Sequence, residues 1–401
     1  MTLTTAGDSS LPLRYFFAYS LLLVMPMQQL AVVTSLTSVR LYMLLVVMST
    51  LGLILLPRRN SAGFVRVKNF DYAVLILFVY LCLTSMWAPN VNLAFVRAFG
   101  IILLLLVYAN LTGLAHQFSR TKLMDIIHNA GTVFLFASAL LYFMGLYLEF
   151  IGNSVFRKDL STVVLNLGVY FEGGVVARLR GVTDSPNNFG AYGLFFLSVF
   201  YHKRSMFFCC FLAGLILLTL SVTSILIMLL MIVVAALSRK SSGSFYVVGF
   251  AFGFIILLIL QIFSTELFPL LEARSGRLTS GSGRFDIWGQ SLIVFLENPF
   301  FGSGLSQARE FSLEAGRNLQ STHNNFLEVM VEGGMVGLIL LLTAMLCLLP
   351  AVVGLRKTDP FHGFYISNIA ILLLLSMSNL TLYNDATFFV LALTISFCRQ
   401  K

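Results

Sequence analysis

The chain has 401 residues, of which 58% are hydrophobic and 11% charged, with a net charge of +9. A soluble domain carries about 25% charged residues, so this composition excludes an ordinary soluble enzyme and points to a polytopic membrane protein. In a soluble protein such a positive balance would suggest nucleic acid. In so apolar a chain it serves orientation in the bilayer and anions outside it, and no nucleic-acid partner is expected.

Crossing about 30 Å of hydrocarbon takes about 20 apolar residues in a helix. Apolar segments recur at 15–36, 41–57, 71–88, 92–111, 124–151, 188–202, 205–221, 223–238, 244–263, 326–354, 361–379 and 383–398. They predict an all-α fold of about twelve spans, forming one integral-membrane domain over 1–401. The first segment follows a short polar N-terminus and lacks a small-x-small cleavage site, so a retained span is expected. Cys82, Cys209, Cys210, Cys347 and Cys398 lie in or beside apolar runs and read as small hydrophobes.

Counting from a cytoplasmic N-terminus, the inner segments hold Arg14; Arg58, Arg59, Arg66 and Lys68; Arg120 and Lys122; Lys203 and Arg204; Arg239 and Lys240; Arg356 and Lys357; and Arg399 and Lys401. Every expected inner segment is therefore basic, as the positive-inside rule requires of twelve spans with both termini cytoplasmic. The other basic residues, Arg40 and Arg97 aside, fall in two long outer loops. Residues 152–187 carry Arg157, Lys158, Arg178 and Arg180, and residues 264–322 carry Arg274, Arg277, Arg284, Arg309 and Arg317. Long loops cross the membrane despite such charge. The arginines suit an anionic ligand, or equally lipid phosphates and Glu172, Glu272, Glu310 and Glu314.

In the first loop, RLRGVTDSPNNFGAYG (178–193) runs into a membrane helix. Pro186, Asn187 and Asn188 make a helix start that Ser185 to Asn188, the asparagines foremost, are expected to cap. Arg178 and Arg180 would lie beside that helix N-terminus, where anions bind. In the second loop, a Gly/Ser-rich stretch, RSGRLTSGSGR, precedes RFDIWGQSLIVFLENPFFGSGL. Phe285, Trp288, Leu292 and Phe295 stand at helical spacing there, predicting a short amphipathic helix on the membrane surface, ended by Asn298-Pro299. Arg284 at its start has the fork geometry that suits phosphate, with an ion pair to Asp286 as the alternative.

STHNNFLEVMVEGGMVG (321–337) then opens the next span, 323–354. His323 is the only histidine expected on the outer side. Its unperturbed pKa of about 6.5 lets the neutral ring accept a proton. Glu328 and Glu332 are four residues apart, on one helical face inside the membrane, where a carboxylate is costly unless paired or neutral. They are functional candidates; alternatively, Glu332 satisfies backbone N–H groups loosened by Gly333-Gly334. Walker, GxSxG, HExxH and zinc-spaced cysteine motifs are absent, so neither cofactor nor metal is expected.

The blocks R-F-D-I-W, E-N-P-F-F-G-S-G and H-N-N-F-L-E-V-M-V-E-G-G-M-V-G, with R-x-R-G and P-N-N-F-G upstream, resemble the bacterial O-antigen ligase and O-antigen polymerase superfamily. The resemblance covers 178–193 and 282–337. It implies a metal-independent, inverting glycosyltransferase of the bacterial inner membrane, with its active site facing the periplasm. The donor would be an undecaprenyl-diphosphate-linked glycan. The acceptor would be a lipid-linked repeat for a polymerase, the favoured reading, or lipid A core for a ligase. Membrane lipids and a chain-length regulator would be further partners. His323 would be the catalytic base; Arg180, Arg284 and then Arg178 would bind the diphosphate; Arg277, Asn324, Glu328 and Glu332 are further candidates. One departure stands out: TLSVTS (219–224) has Val222 where relatives often carry arginine, so the loop arginines alone, or Arg277, would hold the phosphate. A transporter or flippase of lipid-linked sugars is the competing class; it would need polar groups at mid-bilayer.

Overall fold

A computed structural model describes residues 11–29, 31–33, 38–55, 69–115, 118–152, 157–160, 163–172, 176–238, 284–308, 322–353, 359–378 and 382–399. The chain runs α1 (Leu11–Val24), β1 (Ala31–Val33), β2 (Ser38–Arg40), α2 (Leu41–Leu55), α3 (Asn69–Leu83), α4 (Val91–Ala115) and α5 (Arg120–Phe150). Strands β3 (Arg157–Leu160), β4 (Val163–Asn166), β5 (Val169–Glu172) and β6 (Val176–Leu179) follow, then α6 (Pro186–His202), α7 (Met206–Leu218) and α8 (Val222–Ser238). Beyond them come α9 (Arg284–Glu297), α10 (Asn325–Val353), α11 (His362–Ser378) and α12 (Asp385–Arg399). The apolar segment expected at 244–263, and Arg274, Arg277, Arg309 and Arg317, lie outside the described residues.

Among the described residues, Asn69–Met86, Val91–Gly113, Arg120–Phe150 and Asn325–Leu348 are long and apolar enough to cross a membrane, and shorter apolar helices accompany them. Phe95, Val96, Phe99 and Ile102 form an exposed apolar stripe on α4, a surface suited to lipid rather than water. At the centre stands α6, buried on nearly every side. Its Phe189 stacks on Phe134 of α5 at 5.0 Å, and Phe195 and Tyr192 meet Phe389 of α12 at 5.5 and 5.3 Å. A helix apolar all round is one buried on all sides, and van der Waals packing of this kind holds spans together in lipid.

Three expectations are corrected. The fold is mostly helical rather than all-α, because strands within 157–179, in the segment expected to be an outer loop, form a four-stranded antiparallel sheet, β3-β4-β5-β6. Its strands are rich in Val, Tyr and Phe, which suit pleated backbone. A tight turn at Leu167-Gly168, with Leu167 at φ 40°, joins β4 to β5. Gly168 meets α5 so closely that an added Cβ would lie 2.5 Å from the Tyr142 nitrogen. Its own N–H donates to Leu141 O at 3.3 Å, which pins the sheet to the bundle. Second, the helix expected to continue to residue 36 stops at Val24, followed by Pro26, whose ring fits no helix interior. Third, α10 is not continuous: Gly334 has φ 63° and ψ −158°.

The loops gather at two ends. One end joins Arg120 to Asp359 at 2.9 Å, Lys203 to Asp125 at 2.6 Å, and stacks His202 on Phe361. Each of these lies in a segment expected to be inner or at the end of a span beside one. At the other, Gln29 N donates to Val182 O, Arg40 pairs with Asp184 at 2.5 Å and Asp385 at 2.9 Å, Trp87 donates to Gly302 O, and Asn325 accepts from Leu382 N. Arg40, Val182, Asp184, Gly302 and Leu382 lie in segments expected to be outer, whereas Gln29, Trp87 and Asp385 lie within expected spans.

Candidate functional site

The break in α10 is built by two sequence blocks. In an unbroken helix the carbonyls of 331 and 332 would accept from the N–H groups of 335 and 336. Here Val331 O accepts from Ser303 N at 2.8 Å and Glu332 O from Gly304 N at 3.1 Å, while Met335 N donates to Pro299 O at 2.8 Å and Val336 N to Phe300 O at 3.2 Å. Tyr80 of α3 donates to Gly333 O at 2.8 Å. The N-P-F-F-G-S-G turn thus replaces the lost bonds one for one, as backbone at membrane depth requires. Gly334 must be glycine: an added Cβ would sit 2.5 Å from the Phe300 carbonyl carbon and 2.6 Å from Gly302 N.

The helix feeding that turn, α9, is amphipathic as expected, but its buried face is rotated. Ile287, Ser291, Val294 and Phe295 face inward, and Leu292 is exposed together with Ile293 and Leu296. Val294 packs with Ala308 and Val331, so the register follows the docking of the 298–308 turn on α10. Trp288 donates its indole N–H to Thr322 O at 2.9 Å, tying α9 to the residue before His323. The side chains of Arg284, Phe285 and Asp286 lie outside the described residues; the Arg284 backbone begins α9, one turn before Trp288.

His323 is half-buried with φ 51°. A left-handed, non-glycine residue costs of order 1–3 kcal/mol and persists only where its surroundings over-determine it. They do so here. Asn324 caps α10, accepting from Phe326 N at 3.0 Å and Leu327 N at 3.3 Å. The buried Thr322 hydroxyl lies 2.8 Å from Glu328 Oε2 and 2.9 Å from Asn324 O, and the Thr322 N–H points at Glu328 Oε2 at 3.4 Å.

Both glutamates are fully buried and partnered. Glu328 Oε1 pairs with Arg97 of α4 at 3.4 Å. Glu332 Oε1 accepts from Ser306 N at 2.8 Å, and Tyr383 O–H donates to Glu332 Oε2. The Arg97 guanidinium stacks over the Tyr383 ring, 4.1 Å from its centroid. Glu332 therefore satisfies an N–H of the inserted turn rather than one freed in its own helix. Arg97, Thr322 and Tyr383 escaped the sequence reading. The available signal was charge balance: Arg97 is a lone cation within a span, and two carboxylates lie within another.

The segment from β6 to the start of α6, expected to be outer, supplies a second cluster. Ser185 caps α6, accepting from Asn188 N at 3.2 Å, so of the expected group Ser185 to Asn188 the serine caps and the asparagines do not. Their amides instead reach other elements: Asn187 accepts from Ser221 at 2.9 Å, and Asn188 donates to Asp184 at 2.6 Å and meets Asn384. Serine's shorter side chain fits the cap directly before the proline at N1. Arg180 follows β6, and its buried Nε has no hydrogen-bond partner among the described residues. Burial pulls its guanidinium down to about 10, against the upward pull of Asp184. Arg178 is buried, donates from Nε to Thr219 O at 2.8 Å and lies 5.7 Å from the Tyr170 ring centre. It thus stands beside the 219–224 turn in which Val222 replaces the expected arginine.

No group of three or more His, Cys, Asp or Glu side chains suited to a metal occurs among the described residues. Residues 207–342 match the family model described as O-antigen ligase. An 82-residue stretch is 35% identical to a Haemophilus influenzae protein described as uncharacterized, covering 18% of this chain and 21% of that protein. The chain thus spans about a fifth of the length of that curated relative. The family match contains α7, α8, α9, the inserted turn, His323 and both buried glutamates, while Arg178 and Arg180 precede it. Residues 207–342, about a third of the chain, are thus similar to the O-antigen ligase-related family.

Proposed function

We propose that the protein transfers a glycan from an undecaprenyl-diphosphate-linked donor to an acceptor hydroxyl at the periplasmic face of the bacterial inner membrane, in O-antigen or exopolysaccharide assembly. The observation that carries this reading is His323, held left-handed at the mouth of α10 among the loops expected outside. In the reaction the acceptor oxygen bonds to the anomeric carbon and its proton passes to the neutral imidazole. The anomeric C–O bond to diphosphate breaks with its electron pair, and the configuration inverts. The undecaprenyl diphosphate leaves carrying the developing charge.

Fixed cations stabilise such charge more in the transition state than in the ground state. Arg180 fits that part, since its partly unsatisfied, desolvated guanidinium gains most from an anion. Arg284 joins it at the start of α9, and Arg178 is next. The donor already sits at the membrane surface, so the mechanism needs no nucleotide fold and no metal. The buried carboxylates that a carrier would use are engaged by Arg97, Thr322, Ser306 and Tyr383, which favours transfer over transport.

His323→Ala should abolish product while the protein still folds and inserts; near-normal transfer by that variant would remove the catalytic role. Polymerase is the favoured form. Purified protein given lipid-linked repeats alone should extend them, whereas a requirement for lipid A core would make it a ligase. Substrate movement with no new glycosidic bond would replace both by a transporter.

A further inference from the structure

We infer that Glu328 is a positioning residue for the proposed base: acting through Thr322 and backed by Arg97, it holds the left-handed turn that presents His323. This rests on the reading of His323 as base. Glu328 itself is fully buried and both its oxygens are engaged, Oε1 by Arg97 at 3.4 Å and Oε2 by Thr322 at 2.8 Å. It is placed to orient rather than to touch an acceptor.

The three-residue hook has contacts on both sides of His323. Before it, Thr322 is gripped by Glu328 through its hydroxyl and N–H, and by Trp288 through its carbonyl. After it, Asn324 N–H points back to the Thr322 hydroxyl at 3.3 Å, and the Asn324 side chain caps α10. The Thr322 hydroxyl therefore joins both halves, and among the described residues only Glu328 meets it with an acidic side chain. A charge-assisted bond is roughly twice as strong as a neutral one. Arg97 stands 3.4 Å from Glu328 Oε1, the partner that a carboxylate at depth requires. With the link cut, the φ of 51° at His323 loses its main restraint, and the backbone turns toward the regions that L-residues prefer, re-aiming the imidazole.

The test uses the 401-residue protein, purified in detergent, with Glu328→Gln, Thr322→Val, Thr322→Ser and His323→Ala each made singly. Two readouts are taken: transfer kinetics, and the rate at which diethyl pyrocarbonate modifies His323, followed by peptide mass spectrometry. Glu328→Gln and Thr322→Val should lower kcat by about 10²-fold, the loss that goes with a misplacement near 1 Å. KM for the lipid-linked donor should be nearly unchanged, and Thr322→Ser should behave as wild type. The modification rate of His323 should change in the first two variants and not in the third.

An unchanged His323 modification rate in folded Glu328→Gln and Thr322→Val overturns the inference, whatever the kinetics. Transfer retained by His323→Ala overturns the base reading instead, while the modification rates still report on the hook. Should Glu328→Gln fail to accumulate, Thr322→Val carries the test, because it removes the hydroxyl link and leaves the Arg97–Glu328 pair in place.

Discussion

Gly334→Ala tests the interlock between α10 and the inserted turn. At φ 63° and ψ −158° the backbone is in a region open essentially to glycine, and a non-glycine residue there costs about 1–3 kcal/mol. The new methyl would also stand 2.5 Å from the Phe300 carbonyl carbon and 2.6 Å from Gly302 N, both backbone atoms. Relief must separate the two segments, giving up one or two of the bonds Met335 N to Pro299 O, Val336 N to Phe300 O, Ser303 N to Val331 O and Gly304 N to Glu332 O. Each is worth about 1 kcal/mol. The sum is about 2–5 kcal/mol of lost stability, read by equilibrium unfolding in mixed detergent. Gly100→Ala is the control: a Cβ there meets nothing within 4 Å, so it should be neutral or stabilise by up to about 1 kcal/mol. Gly334→Ala unfolding together with wild type would refute the reasoning, because the turn would then not be lodged in the helix as described.

Arg97→Met should destabilise by about 3–5 kcal/mol, the usual cost of leaving a buried charge unpaired; adding Glu328→Gln should restore part of it, and unfolding of the single and double variants measures the coupling. Gly168→Val should loosen the outer sheet from α5, since a side chain there overlaps the Leu141–Tyr142 backbone; faster proteolysis within 152–187 would report it. Inorganic diphosphate should raise the melting temperature of wild type and not of Arg180→Ala, because a ligand that binds only the folded state stabilises it by mass action. Asp385→Asn should weaken the junction of three segments, because Asp385 ties Arg40 and Gln28 together; a lower midpoint in the same unfolding assay is expected.

The sequence by itself determined most of the helices. Spans such as Val91–Ala115 and Arg120–Phe150 are visible because helix length in a bilayer follows from apolar run length, which is a local property. It also marked His323, Asn324 and the E-N-P-F-F-G-S-G and E-G-G-M-V-G blocks, since polar and glycine-rich residues at a bilayer edge stand out against an apolar background. The sheet over 157–179 was hidden, because its strands are only four residues long and its tip is held by a helix outside the segment.

Only the tertiary structure decided what the buried polar residues do. Glu328 meets Arg97 across 231 positions of sequence and Glu332 meets Tyr383 across 51. No periodicity encodes such pairings. They arise because a low-dielectric interior forces each charge to find a partner in space. The same holds for the break in α10: Gly333-Gly334 announces a weak point, but its lost bonds return only through a turn that chain folding brings from thirty-odd residues away.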